Sequence, residues 1–146
     1  MDINIGIVGA SGLVGQEMIK CIEELNDKRI NIFCYASKKS EGIIIQTDRS
    51  LYKVEELNEE SFDGLNYVLF TAGNDVSEKY AKIAVSKGCI VIDNSSFYRL
   101  HEDVPLISIG SNDEDIFKHK GIIANPNCST IQLMRSLKII DGLFGV

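Results

Sequence analysis

Cys128 lies in Asn125-Pro126-Asn127-Cys128-Ser129-Thr130, after an apolar run and before a helical period through Ile131, Met134, Leu137 and Ile140. A thiol opening a helix that follows a strand would sit at the carboxyl edge of an α/β sheet, where such folds bind ligands. The positive end of the helix there favours the anionic sulfur that attacks carbonyl carbon. Taken alone, Cys128 is equally readable as a buried, inert thiol. Cys21, Cys34 and Cys89 fall in apolar periodic segments and are expected to be buried and unreactive. The four cysteines show no C-x-x-C pair and no compact secreted spacing, so they read as reduced thiols. Arg99 carries a planar fork of N–H donors suited to an oxyanion, although by itself it is also an ordinary surface cation.

A second constellation opens the chain. Gly9-Ala10-Ser11-Gly12-Leu13-Val14-Gly15 has G-x-x-G-x-x-G spacing between an apolar strand (Ile3, Ile5, Ile7, Val8) and a helical period. Glycines there permit a tight turn and let backbone N–H groups approach a pyrophosphate at a helix start, with Ser11, Leu13 and Val14 on the same turn. The spacing alone also fits a tight strand–helix turn and nothing more. A site for NAD usually has an acidic residue about 20 positions further on, for the ribose 2′-hydroxyl. This chain has Ala36-Ser37-Lys38-Lys39-Ser40 instead. Ammonium and hydroxyl groups suit a 2′-phosphate, so Ser37, Lys39 and Ser40, with Lys38, point to NADP. The other reading of the two lysines is a solvated loop.

The elements that must position these groups alternate along the chain. A helix follows the glycines, with Val14, Met18, Cys21, Ile22 and Leu25 on one stripe, and Ile30 to Tyr35 reads as the next strand. Ile43 to Ile45 and Leu51 to Leu57 are weaker strand candidates. Tyr67 to Ala72 is an unbroken apolar run, as expected of a strand covered on both faces. A helix with Asp75 at its N-cap, carrying Val76, Tyr80, Ile83 and Ala84, should end at Gly88. Strands are expected over Cys89 to Ile92, Leu106 to Ile109 and Gly121 to Ala124, with a helix start at Asn112-Asp113-Glu114-Asp115. Strands alternating with crossover helices imply a doubly wound, mostly parallel sheet with helices on both faces.

At 146 residues, with 45% hydrophobic and 25% charged residues, one domain over residues 1–146 is the default. A net charge of −6 argues against nucleic acid or an anionic membrane as partner. The start has no secretory pattern and no apolar run is long enough to span a bilayer, so a cytoplasmic location is expected. Two histidines without zinc spacing leave little for a metal site, and no metal is expected.

The Asn125-to-Thr130 segment, with the glycine loop, Phe70-Thr71-Ala72-Gly73 and Val91-Ile92-Asp93-Asn94-Ser95-Ser96 with Arg99, resembles the aspartate-semialdehyde dehydrogenase family over the whole chain. The resemblance implies a Rossmann-like domain and NADP-dependent, reversible oxidation of aspartate 4-semialdehyde with phosphate to aspartyl 4-phosphate, on the path to lysine, methionine and threonine. It implies that Cys128 carries the thioester, that Arg99 and Asn127 line the phosphate and substrate site, and that Ala72 and Gly73 border the cofactor. One departure stands after Val104-Pro105-Leu106. Where the family runs to a Glu-Val-Asn-like segment, this chain has Ile109-Gly110-Ser111-Asn112, which keeps an asparagine and lacks the carboxylate.

Neither His101 nor His119 has surroundings that suggest a general base. In the family that base belongs to a second α/β domain, so the chain is expected to be the NADP-binding domain of a longer, homo-oligomeric enzyme and to turn over poorly without the rest. Two alternatives stay open: an N-acetyl-glutamyl-phosphate reductase-like enzyme, and a free-standing nucleotide-binding or redox-sensing module with Cys128 as sensor.

Overall fold

A computed structural model describes residues 2–145. Seven strands form one sheet in the order β3-β4-β2-β1-β5-β6-β7. They are β1 (Ile3–Val8), β2 (Ile30–Ala36), β3 (Ile44–Gln46), β4 (Leu51–Glu56), β5 (Tyr67–Phe70), β6 (Ile90–Asp93) and β7 (Ile122–Ala124). All neighbours run parallel except β3 and β4, which pair antiparallel as a hairpin at one edge. Parallel pairing brings the carboxyl ends of β2, β1, β5, β6 and β7 to one edge of the sheet, with Val8 level with Tyr35 and Phe70, and Phe70 level with Asp93.

The continuous apolar runs follow from burial of both faces. Val8, Tyr35, Val68, Phe70 and Val91 pack on one face against α2 (Asn74–Ser86), which contributes Ala81 and Ala84. Ile7, Cys34, Ala36 and Val54 pack on the other against Ile19 of α1 (Leu13–Glu24). The Rossmann-like doubly wound architecture expected from the alternation is thus present.

Four local expectations are corrected. The buried side of α1 is Gly15 and Ile19, with Met18 and Ile22 at its margin, whereas Val14 and Leu25 are 57% and 66% exposed and Cys21 is exposed. Gly15 dictates this rotation: a Cβ there would collide with the Gly9 carbonyl oxygen, so only a glycine face can meet the turn after β1. Secondly, α2 starts at Asn74 with Gly73 as its N-cap, and Asp75 falls inside the first turn. Thirdly, Leu106 to Ile109 forms no strand. A single bridge joins Leu106 to Ala124, and beyond it Asn112 takes over the backbone, accepting from Ser108 N at 2.9 Å and donating to the Leu106 carbonyl at 2.9 Å. Fourthly, the acidic start at Asn112 leads into a short 3-10 helix, Asp113–Lys118, and no longer helix follows there.

The last helix, α3 (Cys128–Phe144), follows β7 as expected, but none of its residues is buried. Among the described residues no helix is long and apolar enough to cross a membrane.

Candidate active site

The strand-to-helix turn between β1 and α1 builds the first half of the site. Gly9 takes φ +91°, and a Cβ on it would meet Thr71 Oγ1 at 2.6 Å. Glycine at this position lets the turn lie directly on the end of β5, where Thr71 Oγ1 donates to the Gly9 carbonyl at 3.3 Å. Gly12 caps α1 without a side-chain acceptor, so the first-turn N–H groups of the helix are left for an anion.

A cleft of about 510 Å³ opens over this turn, bordered by Gly9, Ser11, Gly12, Ser37, Lys38 and Ala72. Its far walls are Glu56 and Leu57 after β4 and Val76 and Tyr80 on α2. Ser40 joins the two halves by accepting from Ser11 Oγ at 3.3 Å. Lys39 is exposed on the same 3-10 turn (Lys38–Ser40), and it is Lys38 that borders the cleft. Leu13 and Val14 begin α1 with their side chains exposed, and Gly73 begins α2.

Glu56, Leu57, Val76 and Tyr80 are among the cleft residues that the sequence did not assign to the site. Glu56 is brought there by the pairing of β4 with β2, which sets it level with Ala36, next to the lysine turn. That pairing cannot be inferred from chain order, since β3 and β4 lie between β2 and β5 in sequence.

The second half of the site lies after β6 and β7, on the same edge. Cys128 is the first residue of α3 and is exposed. Asn127 is the N-cap: its Oδ1 accepts from Ser129 N at 3.0 Å, from Ser129 Oγ at 2.6 Å and from the Cys128 thiol at 3.7 Å. Arg99 is half-buried and staples the two loops, donating from Nε to the Asn125 carbonyl at 3.0 Å and from Nη2 to the Asn94 carbonyl at 2.8 Å. The side chains of Asn94 and Asn125 also bond to each other. Of the five N–H donors of a guanidinium, three therefore remain for a ligand, on a side chain anchored to the Asn125 carbonyl, three residues before Cys128 in the chain.

The remaining thiols divide cleanly. Burial pushes the Cys34 thiol up to about 12, and Cys89 is raised by burial and by the Asp63 carboxylate. Cys89 donates to the carbonyls of Phe62 and Leu65, both at 3.4 Å. Cys21, expected to be buried, is exposed. A disulfide-exchange reagent at pH 8 should thus titrate Cys21 and Cys128 in the folded protein, and Cys34 and Cys89 only after unfolding. Four equally fast thiols would contradict this arrangement.

His119 precedes β7 at the opposite, amino edge, where its Nδ1 accepts from Gly121 N at 3.0 Å. The His101 ring lies against Phe97 and Tyr98. Among the described residues, no group of three or more His, Cys, Asp or Glu side chains could hold a metal ion.

Residues 4–119 match the family model for semialdehyde dehydrogenase, NAD binding domain. The chain is 42% identical over 144 residues to aspartate-semialdehyde dehydrogenase of Bacillus subtilis, covering 99% of this chain and 42% of that protein. It superposes on aspartate semialdehyde dehydrogenase II from Vibrio cholerae complexed with ASA with a TM-score of 0.90 and 36% identity, over 97% of this chain and 47% of that one. Aspartate semialdehyde dehydrogenase with NADP from Candida albicans is similar at a TM-score of 0.75 and 26% identity, over 99% of this chain and 48% of that one. The chain thus spans less than half the length of these relatives.

Proposed function

The chain belongs to the semialdehyde dehydrogenase family, as its NAD-binding domain, and from that premise we propose that it is the NADP-binding, cysteine-bearing part of an aspartate-semialdehyde dehydrogenase. The observation that carries this reading is Cys128, exposed at the first position of α3, on the same sheet edge as the glycine-turn cleft and the loop held by Arg99.

In the direction of oxidation, Cys128 Sγ adds to the aldehyde carbon of aspartate 4-semialdehyde, giving a thiohemiacetal. The thiohemiacetal becomes a thioester by losing hydride from its carbon and a proton from its hydroxyl, the hydride acceptor being what oxidised NADP would supply when bound. A phosphate oxygen then attacks the resulting thioester, the C–S bond breaks, and aspartyl 4-phosphate leaves with Cys128 regenerated as thiolate. Arg99 uses its remaining N–H groups to hold the phosphate, and Asn127 lines the same place while capping α3. The uncapped start of α1 suits the pyrophosphate, and Ser37, Lys38, Lys39 and Ser40 suit the 2′-phosphate. Ser11, Leu13, Val14, Ala72 and Gly73 complete the cofactor contacts. In this scheme the general base and the groups that grip the amino acid would come from a second domain, outside the residues that form the cleft and the Cys128 loop.

Titration of NADP and NAD against Lys38→Glu and Lys39→Glu tests the cofactor. Each substitution should weaken NADP by about tenfold and leave NAD within about twofold, because only NADP carries the phosphate those cations meet. Unchanged NADP affinity in both variants would remove the 2′-phosphate site from this turn.

A further inference from the structure

Asp93 ends β6 with no exposed surface, and the reaction above gives it no part. Its Oδ1 accepts from Ser77 Oγ at 2.7 Å and from Ser95 N at 3.1 Å, and its Oδ2 accepts from Ser95 Oγ at 2.6 Å. Ser77, on α2, is itself fully buried. No cation pairs with the Asp93 carboxyl group among the described residues. An apolar side chain of similar volume would fill this place without the desolvation cost of a buried carboxyl group. What the carboxyl group adds is direction, because each bond fixes one segment relative to another.

Those segments lead to Arg99. Ser95 Oγ, held by Asp93, accepts from Phe97 N at 3.1 Å and so shapes the turn between β6 and Arg99. The turn is tied again to α2 where Asn74 Oδ1 accepts from Ser96 N and Ser96 Oγ, both at 3.0 Å. It presents the Asn94 carbonyl to Arg99 Nη2, while the Asp93 carbonyl accepts from Asn125 N at 2.8 Å and so sets the residue whose own carbonyl receives Arg99 Nε.

We propose that Asp93 is a positioning residue: by clamping Ser77 of α2 to Ser95 it fixes the two carbonyls that hold Arg99, and so aims the remaining guanidinium N–H groups at the anion beside Cys128. The proposal rests on reading Arg99 as the phosphate ligand. The clamp also joins that anion site to α2, whose Val76 and Tyr80 wall the nucleotide cleft.

The test uses the whole chain labelled with 15N, inorganic phosphate as probe, and the Arg99 Nε–H cross-peak as readout. In the parent protein the peak should exchange slowly with solvent and shift saturably with phosphate. Asp93→Asn keeps the shape but turns one acceptor into a donor facing a serine hydroxyl, and Ser77→Ala removes a single bond without touching the turn. Both should speed Nε–H exchange and weaken phosphate by about tenfold, while amide exchange in β1 and β2 stays at the parent rate. Should Asp93→Asn not fold, Ser77→Ala carries the comparison. Parent-like exchange and phosphate affinity in Ser77→Ala would overturn the clamp. A parent peak unmoved by phosphate would instead overturn the anion reading, and the aim assigned to the clamp with it, and that failure is distinct because Nε–H exchange still reports whether Asp93 orders Arg99.

Discussion

Serine in place of Cys128 is expected to abolish acylation of the protein by aspartyl 4-phosphate, with a loss of about 10³-fold or more. In this half-reaction the thiolate attacks the acyl carbon, the bond to the phosphate oxygen breaks, and inorganic phosphate leaves. No electron is transferred, so the step needs neither cofactor nor hydride acceptor. Intact mass should show one acyl group per parent chain, removable by hydroxylamine, and peptide mapping should place it on Cys128. Serine preserves the N-cap geometry at Asn127, since that cap is made to Ser129, and so isolates nucleophilicity from folding. Cys21 is an internal control, being also exposed but lying on α1 and not at the start of α3. Label on Cys21, or label retained at the parent rate in the serine variant, would remove Cys128 from the reaction.

The second large effect is expected at Gly15. A Cβ there would collide with the Gly9 carbonyl oxygen and meet Ala10 Cα at 2.7 Å and the Ala10 carbonyl carbon at 3.0 Å, all of them backbone atoms that cannot swing aside. Gly15→Ala must therefore push α1 off the turn. The cost should be about 1–3 kcal/mol of stability, from overpacking at a site with no room to relax. NADP affinity should fall by about 100-fold, because a displacement of about 1 Å takes the N–H groups of the turn away from the pyrophosphate. Gly12→Ala is the matched control: its Cβ has one close neighbour, the Gly9 carbonyl oxygen at 3.3 Å, so the helix need yield only slightly. Thermal unfolding and cofactor titration of the pair check the ordering. Equal loss in both variants would mean that the spacing works through something other than backbone approach.

Within each half of the site the sequence revealed some residues and not others. Cys128 and the glycine turn were legible because each lies at a local strand-to-helix junction, where residue type, turn and helix start are neighbours in the chain. The lysine turn was legible as a segment, since it follows the second strand directly. The structure adds that Lys38 is the one bordering the cleft and that Glu56 faces it across the β2–β4 pair. Arg99 could be picked out by type and family resemblance. That two of its donors are already spent on Asn94 and Asn125, leaving one edge of the guanidinium free, depends on strands β6 and β7 lying side by side.

By itself the sequence determined the alternation of strands and helices, the double winding, and the placement of a thiol and a glycine turn at strand ends. Those follow from hydrophobic period and from glycine, which act over a few residues. Only the tertiary structure decided which face of α1 is buried, that Leu106 to Ile109 leaves the sheet, that Cys21 is exposed while Cys34 and Cys89 are not, and that Asp93 stands behind Arg99. The physical reason is common to all four. Each is set by atoms of separate elements meeting in one place, as Gly15 of α1 meets the Gly9 carbonyl and Ser77 of α2 donates to Asp93 at the end of β6, and no local pattern records which partner arrives.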